Sequence, residues 1–351
     1  MKDLWDYLRN TDKPVALYGT GDGADKIIAV MKDRGIDGKI RGIFASDGFV
    51  RERTFAGFKV ESYSAVKSRL GEDMIVLMCF GSGRPEVLEN VRRISSETEF
   101  YAPDVPVYGN NLFDEGFYRA NRDAIDEVTS LLADDLSVKT MRNTVTNKLT
   151  GDIRPLSECE VSRDVSDSLL KLDPGAVFVD LGAYNGDTVL RYTDLFPDMG
   201  KIYAVEPDKR NFRKLNENTR HLGERITCIN ALVSDREGVA HTDPAKGRGV
   251  HETENGKASI PSVTIDGILG ASPADFIKMD VEGNELAALR GGRDTIRRSG
   301  PVIQAACYHR SEDIFTLPLE VLSIDPDYRV YMRHNPHVPG WDTVFWFIPS
   351  S

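Results

Sequence analysis

Residues 177–188 read VFVDLGAYNGDT, and the change of character within this stretch decides the fold. Val177 to Leu181 is apolar except for Asp180, as expected of a strand buried on both faces. Gly182 and Gly186 bracket a short turn, after which Thr188 to Phe196 takes up helical apolar spacing. A buried strand that passes through a glycine turn into a helix is the opening unit of a doubly wound parallel sheet.

The same alternation extends toward the carboxy terminus. KIYAVEP (201–207), ITCINALVS (226–234), SVTIDGIL (262–269), ADFIKMD (274–280) and PVIQAAC (301–307) read as strands. Helices are expected over 209–221 and 284–298. Between Ser234 and Ser262 the chain is rich in Gly, Lys and Asp, which suits an exposed hairpin or loop beside the sheet. On the amino-terminal side, 114–172 is polar and helical without a convincing strand. Its apolar stripe of Phe117, Tyr118, Leu131 and Leu132 needs a surface to pack on, so this connector is either a spacer or a substrate-facing lid.

Before the connector, a strand at 14–18 runs into GTGDGA (19–24) and a helix ending at Gly35. KIRGIFASD (39–47), a helix near 63–70, the strand MIVLMCF (74–80) and a helix over 85–95 complete a small parallel sheet. The fold class is therefore α/β, with two Rossmann-like doubly wound sheets. Its expected domains are 1–112, a helical connector at 113–172, and 173–351.

Composition narrows the function. A chain of 351 residues with 40% hydrophobic and 28% charged residues is globular and large enough for two cores. A formal net charge of -11 opposes a broad footprint on nucleic acid or an anionic membrane. No apolar run approaches the roughly 20 residues of a membrane-spanning helix, and MKDLWDYLRN lacks a secretory apolar core. Cys79, Cys159, Cys228 and Cys307 are scattered without a CxxC pair, which fits reduced thiols in a cytoplasm. The expected partner is a small molecule or glycan, and homo-oligomerisation is left open.

The chemistry concentrates at the strand ends. Asp180, Gly182 and Gly186 lie at a turn where backbone can approach a ligand and a helix start can receive a carboxylate. One βαβ step later, Glu206 stands where an acid accepts ribose hydroxyl protons. Asp280 and Glu282 lie at the end of the strand ADFIKMD (274–280), and His309 follows the strand PVIQAAC (301–307). Should a hydroxyl have to give up its proton there, His309 and Asp280 are the candidate bases, with Glu282 beside them. The two carboxylates equally suit a helix cap near Asn284. These three residues also suit a divalent cation, but no further ligand pair is suitably spaced, so catalysis without a metal is preferred.

In order, VDLGAYNGD, AVEPD, INALVSD, IKMDVEGNELAALRGG, CYHRSED, YMRHNP and DTVFWF resemble the FkbM family of methyltransferases from about Asp173 to Pro349. The resemblance implies a class I methyltransferase, a seven-stranded sheet carrying S-adenosylmethionine over its strand ends. It places Asp180, Gly182, Ala183, Tyr184, Asn185, Gly186, Asp187 and Thr188 around the methionine portion. Glu206 and Pro207 fall by the ribose, and Asn230 and Ala231 at the adenine rim. Tyr308, Arg310, Arg333 and His334 are candidate substrate contacts. The connector resembles what precedes this domain in bacterial members linked to surface-polysaccharide clusters. An O-methyltransferase acting on a sugar, nucleotide sugar, polysaccharide or similar metabolite is the resulting expectation.

In the amino-terminal half, GTGDGA matches a dinucleotide-type turn and Asp47 occupies the ribose position. The layout resembles small Rossmann-like domains that precede bacterial sugar-modifying enzymes, with a nucleotide or nucleotide sugar as ligand. A packing role for the glycines is the alternative. An NAD-dependent oxidoreductase centred on Gly19, Gly21 and Asp47 lacks an accompanying hydride-transfer constellation such as Tyr-x-x-x-Lys. A non-catalytic protein that binds S-adenosylmethionine or a nucleotide is the remaining rival.

Overall fold

The computed structural model describes residues 3–46, 50, 53–242, 256 and 258–350. Helix α1 (Leu4–Asn10) precedes β1 (Val15–Tyr18), α2 (Asp22–Asp33), β2 (Ile40–Ala45), β3 (Thr54–Phe55) and β4 (Phe58–Ser62). Then come α3 (Tyr63–Leu70), β5 (Ile75–Met78), α4 (Pro85–Glu97) and β6 (Glu99–Tyr101). These strands form one sheet in the order β3-β4-β2-β1-β5-β6, parallel except for the β3–β4 pair. The β3–β4 hairpin was not expected from the sequence, because two short strands of mixed polarity at a sheet edge leave no apolar run.

The glycines of the amino-terminal turn are explained by packing at two positions. A Cβ at Gly19 would lie 2.5 Å from the Phe80 ring, and one at Gly23 would lie 2.1 Å from the Cys79 carbonyl oxygen. The turn is closed against the end of β5. Asp47, the expected ribose acid, falls outside the described residues.

Four helices follow: α5 (Glu115–Leu131), α6 (Asp135–Thr150), α7 (Arg154–Ser157) and α8 (Arg163–Asp167). Ile125, Val128, Leu132, Met141, Val145 and Leu149 are buried in one cluster with Val179, Ile277, Ile303 and Phe345 of the second sheet. Thus α5 and α6 form a packed layer of the carboxy-terminal half. Phe117 and Tyr118 join this cluster, whereas Leu131, expected to pack, is 46% exposed at the end of α5.

The carboxy-terminal half runs through β7 (Phe178–Leu181), α9 (Asp187–Leu195), β8 (Ile202–Val205), α10 (Lys209–Thr219), β9 (Ile226–Ile229) and β10 (Leu232–Val233). It continues with β11 (Gly238–Thr242), β12 (Ala258–Val263), α11 (Ile265–Leu269), β13 (Phe276–Met279), α12 (Glu285–Arg290) and α13 (Arg293–Ser299). It ends with β14 (Val302–Ala306), α14 (Asp313–Ile324), β15 (Arg329–His334) and β16 (Thr343–Ile348). The seven-stranded sheet has the order β15-β16-β14-β13-β7-β8-β9, with β16 antiparallel to both neighbours. Strand order reverses at β7, so the crevice above the carboxyl ends of β7 and β13 is where a ligand belongs. Phe178 stacks on Phe276 at 4.9 Å beneath that crevice, and Tyr192 closes on both rings edge-on.

Three elements differ from the sequence reading. The expected strand at 226–234 divides: β9 stays in the main sheet, while β10 pairs with β12 in a separate three-stranded sheet. SVTIDGIL turns into helix α11 after Val263, because the Thr264 hydroxyl accepts a hydrogen bond from Gly267 N at 2.9 Å and caps the helix. The expected helix at 284–298 breaks between α12 and α13, where Gly291 and Gly292 lie too close to Ser234 and Ile265 to carry side chains. The hairpin expected between Ser234 and Ser262 is present as antiparallel β11 and β12.

Arg333 ties the helical layer to this sheet. Buried on β15, its guanidinium donates to Asp134 Oδ2 at 2.6 Å and to Ser137 Oγ at 2.8 Å. Asp134 also caps α6 through Ser137 N. Removing this carboxylate leaves a buried cation short of its partner and a helix without its cap, so Asp134→Ala is expected to cost roughly 3 kcal/mol. Urea unfolding of the two proteins measures it; a midpoint within error of the parent contradicts the anchoring role.

Candidate functional site

Gly182, just past β7, has φ of +78°, and a Cβ there would lie 1.9 Å from the Asp280 carbonyl oxygen. Only glycine lets the β7–α9 turn touch the loop that follows β13. This contact brings the presumed cofactor turn against Asp280. Beneath it, the Lys278 ammonium lies 2.9 Å from Gly182 O and 3.2 Å from Asp180 Oδ1. Both side chains are buried. Burial pushes the Asp180 carboxyl upward and Lys278 opposes that shift; burial pulls Lys278 down, but Asp180 outweighs it and raises the ammonium.

Glu206, at the end of β8, points back into the crevice. Its Oε2 accepts from Tyr184 N at 2.9 Å and its Oε1 from Asp208 N at 2.9 Å. Burial raises its carboxyl to about 7 against these two backbone donors. Asn230 Nδ2 donates to Glu206 O at 2.8 Å and Pro207 O at 3.0 Å, and Ala231 is buried beside it. The structure therefore gathers Tyr184, Glu206, Pro207 and Asn230 into one connected rim.

The loop after β13 is organised by a residue the sequence reading passed over. Glu285, with no exposed side-chain surface, accepts from Val281 N at 2.8 Å and Gly283 N at 3.0 Å. Its Oε1 also lies 2.8 Å from His309 Nδ1. On the other side of the ring, His309 Nε2 is 3.3 Å from Asp280 and 3.6 Å from Glu282. Burial alone would lower the imidazole, but Glu285, followed by Asp280 and Glu282, outweighs it and raises His309 to about 10. His309 is thus an imidazolium at neutral pH. A protonated ring does not offer the lone pair that a proton acceptor needs, so these carboxylates oppose the role of base expected for His309. Asp280, Glu285 and His309 present ligand atoms within 4.8 Å of one another, a geometry that could hold a metal ion. The imidazolium already supplies a cation among these carboxylates.

Tyr308, a candidate substrate contact, meets Asp280, with the phenol donating to Asp280 Oδ1 at 3.2 Å. Arg310 is drawn onto the loop, its Nε donating to Gly283 O at 2.6 Å and its guanidinium lying 4.3 Å from the centre of the Tyr108 ring. Tyr108 comes from the segment after the amino-terminal sheet, and its N–H donates to His309 O at 3.0 Å. Nothing in its sequence context marked it.

Arg333 and His334 do not join this group. Arg333 is spent on Asp134, and His334, fully buried, pairs through Nδ1 with Thr343 Oγ1 at 2.9 Å. Burial, with His337 nearby, lowers His334 to about 4, so it stays neutral. Alternation along β15 sends the two side chains to opposite faces of the sheet, which is why their proximity in sequence to YMRHNP misled.

A cavity of about 270 Å³ opens beside Asp280. Lys278, Gln304, Asp187 and Thr188 of α9, Arg163 and Asp342 are among the residues that line it. Arg163 and Asp342 form an ion pair at 2.7 Å. Lys278 was legible in principle, as the one charged residue within the apolar run of β13.

Residues 180–333 match the family described as the methyltransferase FkbM domain. The 2-O-methyltransferase NoeI of Sinorhizobium fredii (strain NBRC 101917 / NGR234) is 26% identical over 170 residues, covering 42% of this chain and 68% of that protein. In fold, the chain is similar to the crystal structure of methyltransferase FkbM from Methylobacillus flagellatus KT. The TM-score is 0.74 at 22% identity, over 98% of this chain and 92% of that one. The carboxy-terminal half is a methyltransferase domain. The family match covers less than half of the chain, and the curated relative that the chain resembles is itself a methyltransferase.

The state of His309 can be measured directly. Its folded value lies above the ordinary histidine value of about 6.5, so the stability it contributes is complete below pH of about 6.5 and is lost as pH rises toward 10. Thermal unfolding should show this decline, and His309→Gln should flatten it. NMR titration of the ring should give a value above about 9, falling in Glu285→Gln; a ring that titrates near 6.5 contradicts the charge cluster.

Proposed function

We propose that the protein is an S-adenosylmethionine-dependent O-methyltransferase. Its acceptor is a hydroxyl group on a sugar, nucleotide sugar, polysaccharide or similar metabolite. The observation that carries this reading is the setting of Asp280: 38% exposed, beside the cavity, touching the β7–α9 turn through Gly182 and backed by Tyr308 and the His309 imidazolium. The relative named as a 2-O-methyltransferase supports a hydroxyl acceptor. The unpaired cysteines fit a reducing, cytoplasmic setting.

The residues present fit the cofactor. Each Glu206 oxygen accepts one backbone N–H and keeps a lone pair for a ribose hydroxyl. In this reading Pro207 stands with Glu206 by the ribose, Asn230 and Ala231 take the adenine side, and Gly182 to Thr188 the methionine side; the bonds from Asn230 to the Glu206 and Pro207 carbonyls support it. When bound, S-adenosylmethionine supplies a methyl group on a sulfonium.

Asp280 orients the acceptor hydroxyl and takes its proton as the oxygen is methylated. His309 holds Asp280 by charge and does not itself receive the proton. Glu282 lies 3.6 Å from the same ring nitrogen and adds to the negative charge that holds the imidazolium. Alignment and exclusion of water do the rest, so no metal is required in this reading.

Two measurements test it. Product mass analysis with S-adenosylmethionine and a panel of glycans and nucleotide sugars should show a gain of one methyl group, and Asp280→Asn should lower kcat by about 100-fold or more. Failure of every hydroxylated acceptor while an amine is methylated overturns the O-methyl reading. Ribose binding favours ionised Glu206, whose folded value is about 7, so S-adenosylhomocysteine should bind about tenfold more tightly at pH 8 than at pH 6. A similar pH dependence in Glu206→Gln removes Glu206 from the cofactor site.

A further inference from the structure

The chain has three tryptophans, and two of them are core residues: Trp5 is 2% exposed and Trp346 fully buried. Trp341, in the loop between β15 and β16, stays half-buried. The Trp346 indole N–H donates to Ser166 Oγ at 3.2 Å, whereas the Trp341 indole N–H has no acceptor among the described residues. A large ring left partly in water with its polar tip unpartnered gains little for the fold and much for a ligand.

Its neighbours place it at the site. The Tyr308 ring, whose phenol donates to Asp280 Oδ1, is 6.5 Å from the Trp341 ring at an interplanar angle of 21°, and the His337 ring is 6.0 Å from Trp341 at 24°. The indole is thus nearly parallel to two rings, one of which touches Asp280. The loop that carries it is held at several points. Asn335 N donates to Asp342 O at 3.1 Å, and Ser82 and Val338 exchange two backbone hydrogen bonds. A Cβ at Gly81 would lie 2.2 Å from Trp341 Cε3 and 2.9 Å from His337 Cε1, so the amino-terminal half seats the indole and only glycine leaves it room.

The charge nearby is mostly negative. Burial, followed by Asp280, Glu282 and Asp342, pushes the Tyr308 phenol well up. Arg163 is paired with Asp342 at 2.7 Å, and Arg310 is bonded to Gly283 O and stacked on Tyr108. A fixed aromatic face beside carboxylates suits the apolar C–H face of an uncharged sugar ring and opposes a diphosphate.

We propose that Trp341 is the acceptor platform: an uncharged sugar ring of a glycan stacks on the indole with its reacting hydroxyl directed to Asp280, and an oxygen of the adjoining sugar accepts from the indole N–H. The inference rests on the O-methyltransferase reading above and narrows its acceptor to a glycan without phosphate. Trp341 sets which acceptor is bound, and Gly81 is a positioning residue for the indole. The amino-terminal half then shapes the acceptor side without having to bind a nucleotide.

The test compares the full-length protein with Trp341→Ala, Trp341→Phe and Gly81→Ala on neutral oligosaccharides and on the matching uridine diphosphate sugars, with calorimetry of S-adenosylhomocysteine alongside. The parent should methylate an oligosaccharide with kcat/KM at least about tenfold above that for the nucleotide sugar. Trp341→Ala should raise the acceptor KM by about tenfold while S-adenosylhomocysteine affinity stays within about twofold, and Trp341→Phe should recover most of the loss. Gly81→Ala keeps the indole but displaces it, so it should raise the acceptor KM as well and carries the test if Trp341→Ala does not fold. A preference for nucleotide sugars, or an acceptor KM within about twofold of the parent in the folded variants, overturns the platform and leaves the O-methyltransferase reading standing. Methylation of amines alone, or of no acceptor in the panel, overturns both.

Discussion

A buried carboxylate, Glu285, holds the site together. It receives two backbone N–H groups from the loop after β13 and one side of the His309 ring, in a position with no exposed surface. Such a charge is tolerable only when fully partnered, and its partners are the segments that hold Asp280 in place. The left-handed backbone at Glu282, with φ of +55°, is held by the same anchor.

From that point, constraint spreads in two directions. Through Gly182 the loop touches the β7–α9 turn, whose other side is bonded to Glu206. Through His309 O and Arg310 it reaches Tyr108, and Lys26 of α2 donates to the carbonyls of Pro106 and Val107. The amino-terminal sheet also meets the carboxy-terminal half at Ser82 and Val338, which exchange two backbone hydrogen bonds. A Cβ at Gly81 would strike Trp341, the ring stacked near Tyr308. The first half of the chain thus packs against the loop after β13 and against the segment leading to Asp342.

Charge placement separates the two ends of the crevice. Around His309 three carboxylates keep a proton on the ring, so the ring acts as a fixed cation; around Glu206 burial with only two backbone donors leaves the carboxyl near neutrality of charge change at ordinary pH. One histidine and one glutamate, both familiar acid–base types, are driven to opposite behaviour from what their ordinary values suggest.

The sequence by itself determined the α/β alternation, the glycine turn after β7, the acid at the end of β8 and the loop bearing Asp280, because each is written in a local run of apolar periodicity and turn residues. It also carried the resemblance to FkbM methyltransferases in IKMDVEGNELAALRGG. Tertiary structure alone decided that His309 is charged, that Arg333 and His334 serve the sheet, and that Tyr108 and Glu285 brace the site. The physical reason is that a side chain's charge state and partners are set by groups far away in sequence, through burial and distance, and local pattern holds no record of either.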